Sequence, residues 1–300
     1  MTRPQSSLAW MLLVFALLTT SDRQTVAARD ADGTTRVLIV VGASEHPPGT
    51  HEVSAGGRLM KFSLENASNV DSIRADLVFA WPDDAGLKAA ADTVVFIGDL
   101  FPPVRMPDSE SVITELAEMM GRGCSIVCIH YATGLSQAHV GPGGEHPLLE
   151  WMGGYFATGC EHHQSIARIF PQAEIVPAAD DHPVSRGWKP FTINDEPYIE
   201  NYFGPADAPS RSRLIEFATS MLPPEQPKRQ VVAWGVDRPD GGRGFAVVMP
   251  HYYRSWGNDD LRTLILNGIV WSAGRDIPAD GVRVTISDLT QFSPDSSAKR

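Results

Sequence analysis

The chain has 300 residues, of which 43% are hydrophobic and 20% charged, and its formal net charge is −11 at pH 7. That balance suits a folded domain with ample core, and it excludes binding nucleic acid through phosphates, which needs a basic patch. Three cysteines, none in a CxxC pair, exclude a disulfide framework and supply no thiolate zinc motif.

Residues 1–28 read as an export signal: Arg3 gives a positive start, Leu8 to Leu18 is almost wholly apolar, and Val26 and Ala28 mark a small-residue cleavage site. The competing reading is an uncleaved N-terminal anchor, although the apolar run is shorter than the roughly 20 residues of a membrane span. No later stretch approaches that length, so the mature chain is expected to be exported, periplasmic or secreted, with no membrane span. The expected domain covers residues 29–284, and residues 285–300 read as a tail whose last seven residues are disordered.

Arg36 to Gly42 is a β-branched apolar run of the kind found in a buried parallel strand. A polar loop from His46 to Glu52 follows. Glu52 to Glu65 has helical spacing, with Val53, Met60 and Leu64 on one side and Gly56-Gly57 allowing close packing. Asp76 to Ala80 and Thr93 to Gly98 read as strands. Asp108 caps a helix that runs to Met120 and stops at Gly121 and Gly123. The apolar run from Ser125 ends at His130, and a short helix starts at Pro147 and ends at Gly153-Gly154. This alternation predicts an α/β fold, a doubly wound, mostly parallel sheet with helices on both faces.

Between residues 155 and 230 the pattern is weaker. Ile166 to Phe170, Glu174 to Val176 and Leu214 to Phe217 are candidate strands, and Pro205 to Ser212 and Pro223 to Lys228 are candidate surface loops. Val231 to Trp234 and Gly244 to Met249 form strands joined by the turn Asp237 to Gly242. Asn258 caps a final helix that Gly274 ends.

Ligands of open α/β sheets bind beyond the carboxyl ends of the strands. His130 stands at such an end, as a general acid or base, a metal ligand, a substrate contact, or a histidine tying down the turn with Tyr131. His251 also follows a strand. Tyr252, Tyr253 and Trp256 after it offer a wall for stacking on a sugar, or a packed loop over the sheet edge. His51 and Glu52 precede a helix and face the same crevice, unless Glu52 serves only the helix dipole. Asp195 and Glu196 supply a carboxylate to orient a histidine or bind a sugar hydroxyl; the alternative is a surface turn.

A zinc-like divalent metal is one candidate cofactor, with His51, His130 and His251 converging from separate loops, since no HxH or HExxH pattern is present. His162 and His163 read as a solvated loop pair. Cys128, inside the strand before His130, reads as too buried for thiol catalysis. Gly141 to Gly144 lacks the lysine of a P-loop.

Several segments carry a family pattern: His46 to Glu52, Ile129-His130-Tyr131-Ala132, Trp151 to Phe156, His182 to Gly187, Asn194-Asp195-Glu196-Pro197-Tyr198, Gly242 to Phe245 with His251, and Leu266 to Gly274. In this order the chain resembles the ThuA-like, or trehalose-utilisation, family, and is most similar to its exported bacterial members of planctomycete type. The resemblance implies the flavodoxin-like fold of class I glutamine amidotransferases without amidotransferase activity. It also implies a role in carbohydrate catabolism with a small saccharide, or an oxidised sugar derivative, as partner. Within it His130, His251 and Glu196 are the expected catalytic set, and His51, Glu52, Tyr131, Asp195, Tyr252, Tyr253 and Trp256 the expected substrate contacts. A non-catalytic sugar-binding or scaffold protein and a metal-dependent hydrolase are the alternatives.

Overall fold

The structure, a computed structural model, describes residues 33–293. The expected signal peptide and the last seven residues lie outside the described residues. Among the described residues no helix is long and apolar enough to cross a membrane.

Strand β1 (Thr35–Val41) is buried at every position but one. Helix α1 (Val53–Glu65) returns to strand β2 (Ile73–Val78). Helix α2 (Ala85–Ala90), capped by the Asp84 carboxylate, is too short to leave a periodic signal. Strand β3 (Thr93–Ile97), helix α3 (Ser109–Gly121) and strand β4 (Ser125–Ile129) follow. Strand β5 (Gly134–Ser136) pairs with β6 (Phe156–Thr158) in a small separate sheet, with helix α4 (Leu148–Met152) between them in sequence. Then come β7 (Phe170–Pro177), β8 (Phe191–Asp195), β9 (Leu214–Leu222), β10 (Lys228–Asp237), β11 (Arg243–Val247) and helix α5 (Asp259–Ser272).

The nine-stranded sheet has the order β2-β1-β3-β4-β11-β10-β9-β7-β8. From β2 to β11 every neighbouring pair is parallel. From β11 to β8 every pair is antiparallel. The expected α/β arrangement with a parallel sheet therefore describes the first half, to which an antiparallel half is joined through β11. In that second half several expectations needed correction. Ile166 makes only an isolated bridge to Ile199, so the strand expected at 166–170 is absent. Residues expected as two short strands lie in the long hairpin β9–β10, and β8 was not expected at all.

Two close contacts fix the helices on the sheet. A side chain at Gly57 would put its Cβ 2.7 Å from Val41, and one at Gly268 would meet Phe245 at 2.2 Å. Only glycine lets α1 and α5 lie this near the strands. Helix α5 is buried on almost all sides. Its Asn267, wholly buried, donates to the carbonyls of Val184 and Arg186 and accepts from the Val282 amide. One carboxamide thus satisfies three backbone groups that would otherwise be orphaned.

The expected boundary at residue 284 falls short of the folded unit. A turn at Leu289–Phe292 buries Phe292 beside Phe62, and Arg58 donates to the Phe292 carbonyl at 2.7 Å. Residues 285–293 therefore belong to the domain rather than to a tail.

Two measurements test this packing. N267A should cost about 2–4 kcal/mol in chemical denaturation, because three buried backbone groups lose their partner. His146 accepts from the Leu148 amide. Burial, with His139 nearby, lowers its pKa to about 4 from 6.5. The unfolded chain takes up this proton near pH 6.5 and the folded chain only near pH 4, so stability falls as pH drops across that window. H146N keeps an acceptor without the titration and should flatten the pH dependence of the melting temperature.

Candidate metal centre

Four parallel strands end side by side, and each is followed by a polar group. His46 and His51 come after β1, Asp99 after β3, His130 after β4 and His251 after β11. Glu196 arrives from the far edge of the sheet, directly after β8. Asp195 holds it there. This wholly buried carboxylate accepts from the amides of Glu196 at 2.7 Å, His251 at 2.8 Å and Tyr252 at 3.4 Å, and from the Ser255 hydroxyl. The loops before α1 and after β11 are also joined by backbone. The His51 amide donates to the His251 carbonyl at 2.8 Å, and the Tyr253 amide to the Gly49 carbonyl at 3.0 Å.

His51 and His130 both have positive φ, 41° and 50°. A residue with a Cβ is disfavoured there, at a cost of about 1–3 kcal/mol. Their surroundings hold them in place. The Asp99 carboxylate, 2.5 Å from His51 Nδ1, also accepts from His46 Nδ1 and the Glu45 amide, both at 2.8 Å. Burial alone would raise the Asp99 pKa, but the His51 hydrogen bond, with those of Glu45 and His46, holds it at about 2. Asp99 is therefore an anion at neutral pH, and His51 Nδ1 carries the proton it donates. His130 Nδ1 lies 3.0 Å from the Val248 carbonyl, which can only accept.

It follows that Nε2 of both rings presents a lone pair. These two nitrogens are 2.9 Å apart. His251 Nδ1 lies 2.9 Å from His51 Nε2. A Glu196 carboxylate oxygen is 3.1 Å from His251 Nδ1 and 3.8 Å from His130 Nε2. All four atoms fall within 4.8 Å of one another. Burial and the neighbouring imidazoles push the pKa of His130 well down, and burial lowers that of His51 despite Asp99. Protonation is thus a poor way to relieve the facing lone pairs. A divalent cation relieves them directly: ligand atoms around tetrahedral zinc are about 3.3 Å apart for metal–nitrogen bonds of about 2.05 Å.

The structure thus brings together His51, His130, His251 and Glu196. Tyr131 stands edge-on to His51 at 5.8 Å, and Tyr252 edge-on to His251 at 4.8 Å under the Arg254 guanidinium. Other expected contacts need correction. Asp195 has no exposed surface and cannot touch a substrate; it positions His251 and Glu196 through their amides. Trp256 is 3% exposed, packs beside Gly56 of α1 and lines the cleft next to His51. Glu52 and Tyr253 line the same cleft, with the Tyr253 hydroxyl engaged by the Leu289 carbonyl and the Glu52 carboxylate accepting from the Gly49 amide. His162 and His163 bond Tyr155 and the Glu200 carbonyl and stay outside the cluster. Cys128 is wholly buried, which drives its thiol pKa well up. A narrow cleft of about 20 Å³ borders His51, His130, Tyr131 and His251.

Asp99 and Tyr198 join the site without an expected role there, and His46 joins it from the polar loop expected at this edge. Asp99 follows β3 just as His130 follows β4, and the same strand-end rule applies to it. His46 stacks on His51 at 3.6 Å. Tyr198 lies face to face with His130 at 4.5 Å, its hydroxyl 3.1 Å from His130 Nε2.

No protein-family profile and no curated protein matches this chain. Among solved structures, a ThuA-like protein from Bacteroides uniformis aligns with TM-score 0.56 and 12% identity over 81% of this chain and 92% of that one. The chain has the ThuA-like fold. A carbohydrate deacetylase aligns with TM-score 0.49 and 9% identity over 80% of this chain and 32% of the other. A glutamine amidotransferase from Thermotoga maritima aligns with TM-score 0.38 and 10% identity over 80% and 96% of the two chains.

The charge of Asp99 fixes the His51 tautomer. D99N should weaken zinc binding in calorimetric titration roughly 10- to 100-fold without unfolding the protein. Unchanged affinity would show that His51 needs no such support.

Proposed function

We propose that this chain is an exported metal-dependent hydrolase of ThuA-like type that acts on a saccharide derivative. His51, His130 and His251 are the ligands of a zinc-like divalent ion, and Glu196 is the base beside it. The observation that carries this reading is the pair of buried Nε2 lone pairs facing each other at 2.9 Å, with a third imidazole nitrogen and a carboxylate oxygen beside them. Three protein ligands with one position left for water is the usual composition of a catalytic zinc site. The ion supplies a more acidic water and a Lewis acid for the bond to be broken. The residues do the rest. Asp99 and the Val248 carbonyl fix the two tautomers. Asp195 fixes the approach of His251 and Glu196. Glu196 takes the proton from the attacking water.

This reading moves His130 from the acid/base role expected from the sequence to a ligand role, because both of its nitrogens are committed. The saccharide class rests on the resemblance of the ordered motifs to the ThuA-like family, and on the aromatic lining of the cleft by Tyr131, Tyr253 and Trp256. Export rests on the N-terminal sequence pattern alone.

Elemental analysis and metal titration test the proposal. The purified chain should take up a single equivalent of zinc or cobalt. H130A and H51A should each lose more affinity than the roughly 10- to 100-fold expected for an outer partner. E196Q should keep the ion and lose at least about 100-fold of any metal-dependent saccharide hydrolysis. Full activity in a chelated, metal-free sample would refute it.

A further inference from the structure

Tyr198 is 2% exposed and sandwiched between two rings, His130 at 4.5 Å and Phe156 at 4.0 Å. The chain beneath it is fixed too: its carbonyl accepts from the Asn201 carboxamide at 3.0 Å. A tyrosine buried this deeply needs a partner for its hydroxyl. Among the described residues the hydrogen-bond partner of that hydroxyl is His130 Nε2 at 3.1 Å. Yet this nitrogen has its proton on the other side of the ring, at Nδ1, and a single in-plane lone pair. When that lone pair binds a cation, it cannot also accept from Tyr198. The hydroxyl is then a rigidly held donor next to the ion with no protein acceptor assigned to it.

Resting on the metal reading above, we propose that Tyr198 is a substrate-contacting residue that donates a hydrogen bond to the oxygen held by the ion, whether of water or of the substrate group under attack. A donor fixed in advance at the place where negative charge develops is the arrangement that stabilises an oxyanion. Glu196, two residues earlier, would accept a proton from water while Tyr198 supports the charged oxygen. The Glu196-Pro197-Tyr198 segment would thus deliver a base and an oxyanion donor from one short stretch. The substrate class that fits is one whose scissile group carries an oxygen able to bind the ion, such as a carbonyl or ester oxygen on a sugar derivative.

The test uses the full mature chain loaded with cobalt, and acetohydroxamate as a probe whose oxygens bind the ion. Y198F removes the hydroxyl and keeps the ring stack. It should bind cobalt like the wild type, retain its melting temperature, and bind acetohydroxamate roughly tenfold or more weakly, read from the visible cobalt spectrum. Equal acetohydroxamate affinity in Y198F and wild type would overturn the role of Tyr198 and leave the metal centre standing. No cobalt uptake by the wild type would overturn both. If Y198F does not fold, a crystal structure of the wild type with cobalt and acetohydroxamate decides. A Tyr198 oxygen within hydrogen-bond distance of a probe oxygen supports the role, and one beyond that distance ends it.

Discussion

Two imidazole rings are held so that their bare nitrogens confront each other, and much of the surrounding structure serves that confrontation. An ionised Asp99 grips one ring and a strand carbonyl grips the other. Both histidines sit in a backbone region that residues with a Cβ avoid. Electron pairs at this separation repel unless a donor or a cation satisfies them; His251 Nδ1 at 2.9 Å and the Tyr198 hydroxyl at 3.1 Å are the hydrogen-bonding neighbours of the two nitrogens, and burial disfavours a proton on either ring. The energetic tension lies in the side chains and backbone of the site, while the sheet beneath is regular and apolar.

The architecture explains how such a cluster is assembled from distant parts of the chain. The parallel half of the sheet sets four strand ends in a row and contributes the histidines and Asp99. The antiparallel half contributes the carboxylate, because β8 brings Asp195 and Glu196 round to the loop after β11. Asp195 is the joint between the halves. Its carboxylate binds amides on both sides of the seam, and burial raises its pKa even though those donors pull it down.

The parallel half was largely legible from sequence. Buried parallel strands are continuous apolar runs, and the strand-end rule points to His51, His130 and His251 without any coordinates. Asp99 obeys the same rule but escaped, because a carboxylate after Gly98 reads equally well as an ordinary turn. The antiparallel half was less legible, since its strands are partly exposed and irregular, with bulges in β9–β10 and β7–β8. Even so, β8 carried a usable signal. Phe191, Ile193 and Asp195 alternate inward with Thr192 and Asn194 outward, which places Asp195 on the buried side. Tyr252 and Trp256 show the opposite difficulty. Aromatic residues in one loop look alike in sequence, and only packing against α1 reveals that Trp256 is the buried ring.

The backbone bonds that stitch the loop before α1 to the loop after β11 have a mechanical consequence. His51 and His251 ride on one backbone-linked unit, so neither can swing aside alone. An ion held there as proposed would leave only when that linkage opened, so its residence would follow how often the local structure breathes rather than the strength of any one bond.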